Sequence, residues 1–74
     1  MRRIKLTRVI QREENGFVSF CPELDIASQG DTKDEARVNL EEAIDGFFEC
    51  ASDQEVEERL HAERYVESFE VNIG

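Results

Sequence analysis

A capped helix start placed directly after a glycine is the strongest constraint on this chain. Gly30-Asp31-Thr32 runs into Lys33-Asp34-Glu35. A threonine with a glutamate three residues on reads as a capping box. Its hydroxyl accepts from the Glu35 amide, and the glutamate side chain reaches back to the Thr32 amide. From there Ala36, Leu40, Ala43, Ile44, Phe47 and Ala51 recur at 4, 3, 1, 3 and 4 residues, a single apolar stripe on a helix. Asp34, Glu41, Glu42, Asp45 and Glu49 occupy the other side. Whatever precedes Gly30 must therefore stop there and pack against that stripe.

What precedes it has the period of strands. Residues 3–12 alternate, with Ile4, Leu6 and Ile10 on one side and Lys5, Thr7 and Val9 on the other. Arg8 interrupts the apolar set, which puts the strand at an edge or bulges it. Asn15-Gly16 is a hairpin turn signal, because both residues tolerate positive φ. Phe17–Cys21 is the returning strand, and Pro22, which cannot donate to a ladder, ends the pairing. Ile26–Gln29 is a third strand, stopped by Gly30.

After the helix, Ser52-Asp53-Gln54-Glu55 is a second capping box, opening a short helix with Val56 and Leu60 inward. Tyr65, Phe69, Val71 and Ile73 then alternate against Val66, Ser68, Glu70 and Asn72, as in a last strand. The order is β-β-β-α-(short α)-β. This predicts one α+β domain over residues 1–74, a sheet with helices on one face. A right-handed crossover would allow the last strand to pair in parallel.

Composition sets the scale and the sign of what such a domain can meet. At 74 residues the chain buries only about 60% of its unfolded surface, so the core is small. A hydrophobic content of 39% and a mean hydropathy of −0.58, arranged in clear periods, fit a thin two-layer fold rather than disorder. Five of the nine basic residues (Arg2, Arg3, Lys5, Arg8, Arg12) lie before Glu13, and all 18 acidic residues lie at or after it. Residues 13–74 carry a net −14. That charge repels phosphate backbones and argues against direct nucleic-acid binding. It steers basic partners inward, or else only keeps the protein in solution.

No 7–15-residue apolar run follows the first arginines, and no stretch nears the ~20 apolar residues that span a bilayer, so neither export nor a membrane is expected. Cys21 and Cys50 are too few to staple the fold and lack metal-ligand spacing. Reduced thiols in a cytoplasmic protein are the expectation.

No catalytic constellation emerges. Asp25 and Asp45 are the one carboxylate pair worth testing for metal-dependent hydrolysis, which needs several acids converging from different elements. His61, the sole histidine, lies on a short acidic helix with no nucleophile beside it in sequence. Ser19 and Ser28 have no nucleophile-elbow context, and there is no glycine-rich phosphate loop. Catalytic, metal and cofactor sites are all expected to be absent. The basic "RRIKLTR" lacks the interleaved aromatics of a nucleic-acid strand.

The N-terminal strand, "ENGFVSFCPEL", "SQGDT", "DEA" and "NLEEAI", in that order and at that spacing, resemble the HicB-like antitoxin family from Ile4 to about Ala51. The resemblance implies a partial RNase H-like fold without the catalytic carboxylates. It also implies a partner, a small basic HicA-like ribonuclease toxin that the protein neutralises by binding. Two departures are visible. Family members often read Pro-Asp/Glu-Leu-Pro-Gly-Cys where this chain has Pro22-Glu23-Leu24-Asp25-Ile26-Ala27. Many also continue into a DNA-binding domain, which is not expected here, so operator binding is not expected either.

Glu41, Glu42, Asp45 and Glu49 on the exposed helix side, with Glu23 and Asp25 on a loop, form the candidate surface for a basic partner. The resemblance directs Phe17, Ser19 and Cys21 towards the helix. Val18 and Phe20 are then left beside Val9 on an open face, which would serve a homodimer; the reverse phase would bury Val18 and Phe20 instead. The last strand pairing edge to edge is another route to a dimer. The competing function is a free-standing homo-oligomeric domain with a regulatory or small-ligand role and no toxin partner.

Overall fold

The computed structural model describes residues 3–74; Arg2, counted above in the basic N-terminal run, lies outside them. The chain is a two-layer α+β domain. β1 (Val9–Glu13), β2 (Gly16–Cys21) and β3 (Ile26–Gly30) form an antiparallel sheet in the order β1-β2-β3. α1 (Lys33–Cys50) and α2 (Asp53–Leu60) follow, and α1 packs across the sheet, most extensively on β3.

Both N-caps form. The Thr32 hydroxyl accepts from the Glu35 amide at 3.0 Å, and the Ser52 hydroxyl accepts from the Glu55 amide at 3.1 Å. The Glu35 carboxylate lies 3.5 Å from the Thr32 hydroxyl rather than on the Thr32 amide, so the box is closed on one side only. The predicted stripe faces the sheet. Ala36 and Leu40 are fully buried, and Ile44, Phe47, Phe48 and Leu60 pack around a centre made by Cys21, Leu24 and Leu40.

The sheet reaches the helix through its smallest residues. Ser19 is completely buried, and its hydroxyl donates to the Ala36 carbonyl at 2.7 Å. Gly30 comes closer still, since a Cβ there would sit 2.6 Å from the Ala36 backbone nitrogen. Gly16, with φ +152°, would place a Cβ 2.6 Å from the Gly30 carbonyl oxygen. Phe17 pairs directly with Gly30 across the ladder.

Three predicted elements differ. The hairpin turn is Glu14-Asn15, one residue earlier than the Asn15-Gly16 signal, and Gly16 pairs with Glu13 as the first residue of β2. The positive φ falls on Gly16 and not on Asn15, because this register keeps Ser19 and Cys21 under the helix. The first strand begins at Val9, not at residue 3. Continuing its register would set Thr7 opposite Pro22, which has no N–H to give, and the Thr7 amide is instead held by Glu23. The last strand does not form: residues 63–74 carry no helix or strand and are exposed throughout. Alternation in this segment shows which side chains a strand would bury but names no strand to pair with.

Replacing Thr32 by alanine removes the cap and should lower stability by about 1 kcal/mol. Gly30→Ala should cost about 1–3 kcal/mol by forcing β3 off the helix start, since the atoms in the way are backbone. Urea midpoints of the two variants check both values. A Gly30→Ala protein as stable as the wild type would show that this contact is not tight.

Candidate functional site

The six carboxylates expected to meet a basic partner fall into two groups. Glu23 and Glu41 are engaged with the chain's own basic arm. Both Glu23 oxygens lie 3.0 Å from the Thr7 amide, and the Thr7 hydroxyl donates to Oε2 at 2.6 Å. The next residue, Arg8, pairs with Glu41 at 2.7 Å. Two neighbouring residues of the arm are thus bound by two acids from different elements, and the arm lies against the body's negative field.

Glu42, Asp45 and Glu49 are exposed on α1 at positions i, i+3 and i+7, which share one helix face. No ion pair among the described residues uses them. Asp25, also exposed, has φ 56° and is the non-glycine residue with positive φ among those described. Aspartate enters that region more readily than most residues, which lets the turn from Pro22 to Asp25 close.

Local electrostatics belong to the arm clamp. Partial burial alone would push the Glu23 carboxyl up. The Thr7 hydroxyl and amide outweigh it and hold the group below the ordinary value of 4.5. Burial pushes the Cys21 thiol up, only partly offset by the Leu24 amide, with Glu23 adding to the rise. A buried thiol of that kind is a core side chain and not a prepared nucleophile. Cys50 is exposed, and the two cysteines are not bonded to each other.

Asp25 and Asp45 do not join a larger set: among the described residues no group of three or more His, Cys, Asp or Glu is placed to hold a metal ion. His61 sits 2.9 Å from Glu57, one turn back on α2. An open groove of about 590 Å³ runs beside the hairpin turn and Gly30, and Glu13, Glu14, Asp31 and Glu35 line it with carboxylates. No described helix is long and apolar enough to cross a membrane.

The sheet's second face carries the other predicted set. Val9 pairs with Phe20, and Phe20 with Ala27. Directly opposed residues share a face, so Val9, Val18, Phe20 and Ala27 lie together away from the helices, flanked by Gln11 and Gln29. Val9 is 47% exposed, and Val18 and Phe20 are half-buried by their neighbours.

Two contacts carry no signal in sequence spacing. Arg59 donates to the Leu24 carbonyl and lies 4.8 Å over the Phe47 ring, tying α2 to both the β2–β3 turn and α1. Asn39 donates to the Gln29 carbonyl at 2.7 Å and occupies part of the outer edge of β3. Each joins residues that only the finished fold brings together. Comparison of the chain with protein-family models, curated proteins and solved structures gave no match.

The Glu23 clamp sets a pH dependence. Its folded pKa lies below the unfolded one, so the ionised carboxylate stabilises the fold fully above the ordinary value and loses that contribution as pH falls through the folded value. Glu23→Gln should therefore be less stable than the wild type at pH 7, with the gap narrowing below about 4.5. Urea midpoints across pH 3–7 check this. A gap that is constant with pH would show that the carboxylate charge does not hold Thr7.

Proposed function

We propose that the chain is an antitoxin-like binding module that neutralises a small basic HicA-type ribonuclease by direct contact, acting as a homodimer and without catalysis of its own. The observation that carries this reading is the run of exposed carboxylates on α1. Glu42, Asp45 and Glu49 face solvent with no cation paired to them among the described residues, while the arm's Arg8 is already paired with Glu41. A surface built to hold RNA phosphates is cationic, and an ordered line of carboxylates competes for it. The HicB-like sequence pattern supplies the partner class, and the charge supplies an independent reason for the same partner.

Self-association uses the open sheet face. Val9, Val18 and Phe20 form an apolar patch on a domain whose helices cover only the opposite side, and a patch of that kind marks an interface. Asp25 flanks the toxin contact, whereas Glu23 and Glu41 serve it indirectly, by engaging Thr7 and Arg8 of the arm.

Titration against a basic ribonuclease encoded beside this chain's gene tests the reading. Association should slow as salt rises, because charge steering is screened. Changing Glu42, Asp45 and Glu49 together to lysine should slow it roughly tenfold or more and restore RNA cleavage. Binding indifferent to salt and to these changes would place the contact elsewhere, and no binding to such a product would remove the antitoxin reading.

A further inference from the structure

Residues 63–74 end the chain as an exposed segment without helix or strand. Phe69 is 85% exposed and Ile73 94%. The radius of gyration, 14.7 Å, exceeds the about 11 Å expected of a compact domain this long, and the molecule is 49 Å long but 17 Å thin. Tyr65, Phe69, Val71 and Ile73 still stand at alternate positions, the pattern of a strand that buries one side.

The sheet offers two edges, and they differ. The β3 edge is partly occupied by Asn39 on Gln29. The β1 edge leads back into Arg3, Lys5, Arg8 and Arg12, with no acidic residue among residues 3–12. The terminal segment carries Glu63, Glu67 and Glu70 against the single Arg64, so its charge complements β1. Near the arm leading into β1, on the helix side, lies an open cleft of about 440 Å³ lined by Ile4, Phe48 and Val56, with Asp53 and Glu57 beside them. Its three apolar side chains suit the segment's apolar side.

We infer that residues 65–73 of one copy add as a strand to the outer edge of β1 of a second copy, reciprocally, with the alternate apolar side chains seated towards the Ile4–Phe48–Val56 cleft. Backbone hydrogen bonds along the edge supply affinity, and the cleft sets the register. The exchange is closed by two-fold symmetry, because each copy gives one segment and receives one. It rests on the homodimer of the preceding section and competes with the Val9, Val18 and Phe20 face as the surface that forms it.

Sedimentation and light scattering on the full chain test it. The wild type should be a dimer, and the full-length Phe69→Asp/Val71→Asp variant a monomer. Both side chains are already solvent-exposed in the single chain, so the variant's helical circular dichroism should match the wild type. Phe20→Asp, which leaves the terminal segment intact, should remain a dimer. A Phe69→Asp/Val71→Asp variant that stays dimeric overturns the strand exchange, and so does a monomeric wild type. A dimer lost only in Phe20→Asp would place association on the open face alone. A second measurement needs no variant. Carbodiimide linkage of Lys5 to Glu67 or Glu70, in an equal mixture of unlabelled and ¹⁵N chains, should give linked peptide pairs with one light and one heavy member. Pairs that are always both light or both heavy would place the segment on its own sheet and overturn the exchange.

Discussion

The approach of the Gly30 backbone to the first turn of α1 governs how the two layers meet. With a side chain at Gly30 the strand would stand off the Ala36 amide, and the Ser19 hydroxyl would no longer reach the Ala36 carbonyl. Burial of Cys21, Leu24 and Leu40 depends on that same spacing, because the layers are hinged where β3 hands over to the helix. The residue opposite Gly30 is Phe17, and the residue before Phe17 is Gly16, where a Cβ would strike the Gly30 carbonyl. Hairpin and helix start therefore meet at one point of backbone. A change in either turn is felt in both.

A second constraint is electrostatic. A body with net −14 over residues 13–74 repels itself, and the basic arm is its internal counterweight. The arm does not pair generally. It is held at two neighbouring residues, Thr7 by Glu23 and Arg8 by Glu41. This organises the charge into a partly neutralised side and a fully acidic one, on the exposed face of α1. Exposed pairs of this sort contribute little stability individually. Their effect is to settle which carboxylates a partner would meet.

Local chemistry was legible in the residues, and partner choice was not. Thr32 and Ser52 mark their helices because a cap is an interaction over three residues, and the apolar stripe needs no knowledge of what it covers. The three strands and their order follow from period and turns. The errors share one cause. Residues 3–8 have strand periodicity, yet the ladder stops at Pro22, and the Glu23 side chain takes the amide that pairing would have used. Tyr65 to Ile73 have it too, and no strand among the described residues pairs with them. The acidic surface follows the same rule. Composition shows that carboxylates are in excess, but Glu41 and Asp45 look alike until the fold brings Arg8, 33 residues away in sequence, to one of them.

The small centre of the molecule divides it into two tiers of motion. Among the described residues, full burial is confined to Ser19, Cys21, Leu24, Ala36 and Leu40, all in β2, its following turn, or the first half of α1. Beyond Leu40 the inward residues of α1 are half-buried, and α2 has no buried residue. Amide protons of β2 and of α1 around Leu40 should therefore exchange more slowly than those towards Cys50 and through α2, where local fraying suffices. The acidic line from Glu42 to Glu49 sits on the looser tier. A ligand held there would deepen the free-energy well of the folded segment, so the protein's own breathing would report occupancy.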